Sequence, residues 1–276
     1  MAGYALWKIH GTDEKRGGPV TFTHAPKICW WKYENPHVYK NTVKFVTAHA
    51  YVVGRMTGLN AEQQYYDYTN LHFSCLADNK NKVWSQELTD RFGISMDKLP
   101  RICSPFEVVG KVNQKFAAMS GLISGVPVVA GCGDSAASTF GAGIFECGKL
   151  FDCAGTASVL CCVINKFMPD VDHQTLTMMR SPIDGLFLPL AYINGGGMCI
   201  RWFRDTLSGI PHAQYDTLQA EAQRIPLGSD GIIFIPHFSG RVLSSHPRMK
   251  GSFLGLDFFH TRGHMYRAVL ESVAYE

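Results

Sequence analysis

"VPVVAGCGDSAASTFGAG", Val126 to Gly143, is the stretch on which the reading of this chain turns. Its branched apolar residues predict a strand. A glycine turn follows, then a lone carboxylate, Asp134, then small residues at helical spacing. Open α/β sheets bind ligands beyond the carboxyl ends of their strands, so an acid at this junction is well placed to face a ligand. Such a carboxylate can take the proton of a hydroxyl whose oxygen attacks phosphorus. It can also cap the helix expected to start at Ser135, by accepting backbone N–H bonds. The two roles are compatible.

Two further glycine-rich elements come after it. "CAGTASVL", Cys153 to Leu160, predicts a tight turn whose Gly155, Thr156 and Ser158 present N–H groups and hydroxyls able to cradle phosphate, although such turns are also common in plain hairpins. "NGGGMCIRWFRD", Asn194 to Asp205, sets three glycines before a helix, where a flat or anionic group can approach the backbone, or where the turn is simply flexible. It is neither GxGxxG nor a Walker A loop. Arg201 and Arg204 on that helix read as surface charges.

Composition narrows the classes. The 276 residues are 46% hydrophobic, enough for one or two domains with full cores. A net charge of +3 gives no reason to expect a nucleic-acid or anionic-membrane partner. No apolar run reaches the roughly 20 residues of a membrane helix, and the first residues lack a signal pattern. Nine cysteines lie scattered in apolar contexts without CxxC spacing, so reduced, buried thiols of a cytoplasmic protein are expected. The eleven histidines are dispersed and no HExxH occurs, so no zinc site is expected.

Along the chain, residues 1–24 read as irregular. Helices are predicted from Pro26, with an interruption near Pro36, over "FVTAHAYVVGRMTG" closed by Gly58, and over "VWSQELTDRFG" between Ser85 as N-cap and Gly93 as stop. "LPRICSPFEVVGKV" reads as a loop leading to a short strand. Strands are predicted in "GKLFDCAGTASVLCCVI", "QTLTMMRS" and "LFLPLAYING", and helices in "GMCIRWFRDTLSG", "YDTLQAEAQRI" and "GHMYRAVLESVAYE". "GIIFIPHFSG" reads as a buried strand. The last helix shows no stop signal, so a longer sequence is expected. The texture changes near residues 144–150, which predicts α/β architecture in two parts.

No single element decides the function, but their order resembles the FGGY family of carbohydrate kinases. The resemblance runs through "GVPVVAGCGDSAASTFGAG", "CAGTASVL", "NGGGMCIRWFRD", "GIIFIPHFSG" and "GSFLGLDFFHTRGHMYRAVLESVAYE". Upstream, "FTHAPKICWWKYENPHVY" and "GRMTGLNAEQQYYDYTNLHFSCLADNKNKVWSQEL" are also similar, so the likeness covers Phe22 to Glu276, closest in flavour to the xylulokinase-like branch.

The resemblance implies an actin-like ATPase (ribonuclease H-like) fold of two α/β domains with a cleft between them, both incomplete here. Residues 1–146 would be the later part of the sugar-binding domain and 147–276 the first part of the nucleotide-binding domain. It implies ATP-dependent phosphorylation of a hydroxyl on a ketose such as xylulose or a related polyol, with Mg²⁺. Asp134 resembles the general base. Ser135 stands where the family often has Gln or Asn against the sugar, and Phe22 is a weak sugar contact. Gly155 and Thr156 resemble the turn facing the transferred phosphate, and Gly197 a glycine against the nucleotide. Partners are then a sugar and Mg-ATP, with no nucleic acid, no membrane and no resident metal; a homodimer is compatible. The family's opening "DxGTxS" turn and late adenine-binding "GGGxxS" turn do not occur in these residues. The alternative is therefore a non-catalytic remnant or interaction module, inactive as this piece.

Overall fold

The computed structural model describes residues 23–209, 214–243 and 246–276. The chain forms two compact units, Met1–Leu150 with Cys162–Leu190, and Phe151–Cys161 with Ala191–Glu276.

The first unit opens with helices α1 (His24–Glu34) and α2 (Pro36–Asn41). Pro36 can occupy only the first turn of a helix, so the chain breaks at Asn35 and restarts. Helix α3 (Ala48–Thr57) ends at Gly58, and its Ala50 packs on strand β1 (Tyr65–Asp67). A 3₁₀ turn, Tyr68–Asn70, leads to α4 (Leu71–Ser74), then to the hairpin of β2 (Ala77–Asp78) and β3 (Val83–Trp84). Helix α5 (Gln86–Phe92) starts at Ser85, whose hydroxyl accepts the Leu88 N–H, and stops at Gly93, as the sequence predicts.

The predicted loop after it contains a strand. β4 (Arg101–Cys103) pairs in parallel with β1, Tyr66 opposite Ile102. β5 (Val108–Lys111) pairs antiparallel with β6 (Pro127–Val129) across a bulge between Val108 and Gly110. Between them lies α6 (Gln114–Ser120), capped by Asn113 accepting the Phe116 N–H at 2.8 Å. Helix α7 (Asp134–Gly141) follows β6. Tyr65, fully buried, donates its hydroxyl to Ala130 O at 2.7 Å and so ties β1 to the end of β6.

Strands β7 (Leu150–Ala154) and β8 (Ser158–Cys162) are neighbours. The chain then returns to the first unit, where β9 (Thr177–Arg180) pairs antiparallel with the first residues of β10 (Phe187–Ile193). Arg180 secures this return. Its buried guanidinium donates to Asn79 O at 2.7 Å and Lys80 O at 2.6 Å, and it lies over the Tyr68 and Phe187 rings.

In the second unit, α8 (Gly196–Trp202) passes into a π turn at Phe203–Leu207 and is followed by α9 (Tyr215–Ala222). β11 (Ile233–Ile235) pairs antiparallel with β12 (Ser252–Leu254), and α10 (Arg262–Tyr275) closes the described chain. The core is Phe203, Leu218, Ile232, Phe234, Tyr266 and Val269, with Cys199 and Ala222 filling gaps. β11 corrects the expectation of a fully buried strand. Phe234 enters the core while Ile233 is 54% exposed, the alternation of a strand covered on one face.

Candidate functional site

Asp134 comes at the end of a tightly specified path. Ala130 N donates to Glu107 O and Gly131 N to Pro105 O, which fixes the end of β6. Gly131 turns the chain at φ +79°, a conformation that L side chains avoid. Gly133 is then the helix N-cap and Asp134 the first helical residue. The cap expected at Asp134 is thus held by glycine. The aspartate does accept one backbone N–H, that of Ser135, at 2.7 Å on Oδ1, and the helix N-terminus favours its negative charge. Its side chain is exposed, and Oδ2 has no partner among the described residues. Ser135 follows, half-buried, with its hydroxyl 3.5 Å from the same carboxylate.

The carboxylate lines an open depression of about 580 Å³ together with His24, Lys27, Thr47, His49, Asn70 and Cys132. His24 is pushed down to about 4, first by burial and then by Lys27, so it is a neutral ring near pH 7; its Nδ1 lies 2.6 Å from the Tyr66 hydroxyl. Burial pushes the Cys132 thiol up to about 11 and keeps it protonated. Below this floor lies Asp67, fully buried. Its Oδ1 accepts the N–H and hydroxyl of Thr69, and its Oδ2 accepts Asn70 Nδ2 at 2.7 Å, with His49 Nε2 at 3.0 Å. Sequence reading passes over Asp67, Thr69 and His49. The available signal was one acid inside the aromatic run "YYDYTN".

The second unit brings Gly155, Thr156 and Gly197 together. The β7–β8 turn closes with Gly155 N donating to Ala157 O at 2.8 Å. It docks on the start of α8, where Gly197 N donates to Gly155 O at 2.9 Å and Met198 N to Thr156 O at 3.1 Å. The glycines are needed for this backbone contact. A Cβ on Gly197 would stand 2.2 Å from Gly155 O, and one on Gly196 would stand 2.0 Å from Ser158 Oγ. Two of the helix N–H groups that the sequence offered to an anion, those of Gly197 and Met198, are therefore taken by turn carbonyls. What remains outward is the exposed Thr156, whose hydroxyl has no partner among the described residues. Ser158 Oγ is buried without a partner among the described residues. Arg204 pairs with Asp205 at 2.6 Å and stacks on Tyr215, as a surface charge does.

Phe22 lies outside the described residues. None of the nine cysteines is in a disulfide, but Cys147 and Cys153 are exposed, contrary to the expectation of burial. Among the described residues no group of three or more His, Cys, Asp or Glu is arranged for a metal ion. His260 and His264 stand four residues apart, at HxxxH spacing, a pair that the reading of the histidines as dispersed passes over. Their four ring nitrogens face the Asp257 and Thr261 N–H groups, Asp230 O and Asp230 Oδ2. No helix among the described residues is long and apolar enough to cross a membrane.

Two family models match this chain. The FGGY carbohydrate kinase N-terminal domain matches residues 11–141 and the C-terminal domain residues 154–276. A xylulose kinase of Bacillus subtilis is 28% identical over 91% of this chain and 49% of its own length. A gluconokinase of Bacillus licheniformis is 28% identical over 100% of this chain and 53% of its own. The chain thus spans about half the length of the curated relatives it matches. Among solved structures, a xylulose kinase from Rhodospirillum rubrum covers 99% of this chain and 56% of its own, at TM-score 0.83 and 24% identity. A gluconate kinase from Lactobacillus acidophilus covers 99% and 53%, at TM-score 0.83 and 24% identity. These likenesses show the fold, the actin-like ATPase type expected from the sequence.

Proposed function

The chain belongs to the FGGY family of carbohydrate kinases, and on that premise we propose that the protein transfers the γ-phosphoryl group of ATP to a hydroxyl of a ketose such as xylulose or a related polyol. Asp134 acts as general base, and Ser135 and Phe22 contact the sugar. Gly155 and Thr156 face the transferred phosphate, and Gly197 lies at the nucleotide. We take residue 146 as the end of the sugar-binding domain and 147 as the start of the nucleotide-binding one. The reaction belongs in the cytoplasm, where ATP is supplied.

The observation that carries this reading is the state of Asp134. Its carboxylate is exposed, has one oxygen without a partner among the described residues, and opens onto a depression lined by polar side chains. In the reaction the sugar hydroxyl gives its proton to Asp134 while its oxygen bonds to the γ-phosphorus and the bond to the ADP oxygen breaks. Neutral His24 and the amide of Asn70 offer hydrogen bonds to further hydroxyls. Mg²⁺ would come with the nucleotide and neutralise the charge of its phosphates, for which it needs no preformed protein cage.

The test is a panel of xylulose, gluconate and glycerol with Mg-ATP on the protein as its gene encodes it, read as sugar-dependent ADP release. Asp134→Asn is expected to bind sugar and ATP as before and to lose about 10²–10⁴-fold in kcat. An Asn variant that keeps more than about a tenth of kcat would reduce Asp134 to a helix-start residue.

A further inference from the structure

We propose that Asp67 and Thr69 form a positioning relay that sets the pose of Asp134; this rests on the reading of Asp134 as the base. Asp67 is fully buried, and a buried carboxylate is costly unless its lone pairs are met. Here both oxygens are served, Oδ1 by the N–H and hydroxyl of Thr69 and Oδ2 by the Asn70 amide.

The direction of the chain follows from what each group can do. Gly133 N–H can only donate, and it points at Thr69 Oγ1 at 2.9 Å. The threonine hydroxyl has one proton, and that proton goes to Asp67 Oδ1. The buried carboxylate therefore orients the hydroxyl, and the hydroxyl's lone pair holds the amide of the residue immediately before Asp134. That amide belongs to the helix N-cap and would otherwise lack a partner. Asn70 closes the seat from below: a Cβ on Gly133 would stand 3.0 Å from Asn70 Oδ1, so the glycine fits with little slack. Among the described residues no basic side chain pairs with the exposed carboxylate, which is held only by the Ser135 N–H next to it, so its position follows where Gly133 is held.

The experiment uses the protein as its gene encodes it and compares Thr69→Val, Thr69→Ser and Asp134→Asn. It reads kcat, the KM values for sugar and ATP, sugar affinity by calorimetry and the urea midpoint. Valine keeps the shape but can neither receive the Gly133 N–H nor donate to Asp67. A reacting group misplaced by about 1 Å costs on the order of 10²-fold, so Thr69→Val is expected to lose about that much kcat. Sugar affinity and KM for ATP should stay unchanged, and Thr69→Ser, which restores the hydroxyl, should recover the rate. A folded Thr69→Val with wild-type kcat overturns the relay, as does a Thr69→Ser that folds normally yet stays slow. If the valine variant does not fold, Thr69→Ala replaces it, with the same loss expected and the same wild-type rate overturning the proposal. Full activity in Asp134→Asn would instead overturn the general-base reading, so the two failures are separable.

Discussion

Asp134 and Thr156 each turn a polar group outward with little use for it inside the fold. Asp134 spends one oxygen on the Ser135 N–H, and Thr156 contributes only its carbonyl to the Met198 N–H. Substituting such side chains should therefore change chemistry far more than stability. Thr156→Val keeps the β-branched shape and removes the hydroxyl. A hydrogen bond to a charged group is worth roughly 1.5–3 kcal/mol, so KM for ATP should rise, or kcat fall, by about 10- to 150-fold. Sugar affinity and the thermal midpoint should not move. Unchanged ATP kinetics would make the turn purely structural.

At the scale of elements, the β7–β8 turn and the start of α8 behave as one piece because their backbones touch. The carbonyl of Gly155 takes the Gly197 N–H, and no side chain fits between them. Gly197→Ala is expected to force the turn off the helix. Overpacking costs of about 1–3 kcal/mol apply, so the urea midpoint should fall and ATP affinity with it. Gly141→Ala is the control. It lies in α7 with nothing within 4 Å of its would-be Cβ, and alanine is the better helix former by up to about 1 kcal/mol. Equal midpoints for the two variants would refute the close-contact account.

Over the whole molecule, the first unit carries an acid sensitivity in two histidines. Burial pushes His24 and His72 each down to about 4 from the ordinary 6.5. The unfolded chain takes up both protons as pH falls through 6.5, while the folded chain refuses them until near 4. Stability present at neutral pH is thus lost across that window, by up to ~1.4 kcal/mol per pH unit for each histidine. Urea midpoints read between pH 7 and 5 should decline, and His24→Gln should flatten the slope. A midpoint constant over this range would show that neither ring resists protonation.

What the sequence determined by itself was local. The break at Pro36, the caps Ser85 and Gly93, the end of α3 at Gly58 and the strand-to-helix step at Asp134 each follow from one residue's own chemistry. The order of the glycine-rich stretches carried the family. Strands β1 and β4 were not legible, because three residues show no period and each is a strand only when paired with the other. The exposed face of β11 was hidden for a related reason: an apolar run does not say which of its sides will be covered. Tertiary structure alone decided that the Gly197 and Met198 N–H groups go to the turn, since a helix start advertises donors without naming their acceptors. It also decided the role of Asp67. In sequence this is one acid among tyrosines. Only folding brings it, through Thr69, beneath the backbone of Gly133, because a buried carboxylate must find its donors wherever the chain delivers them.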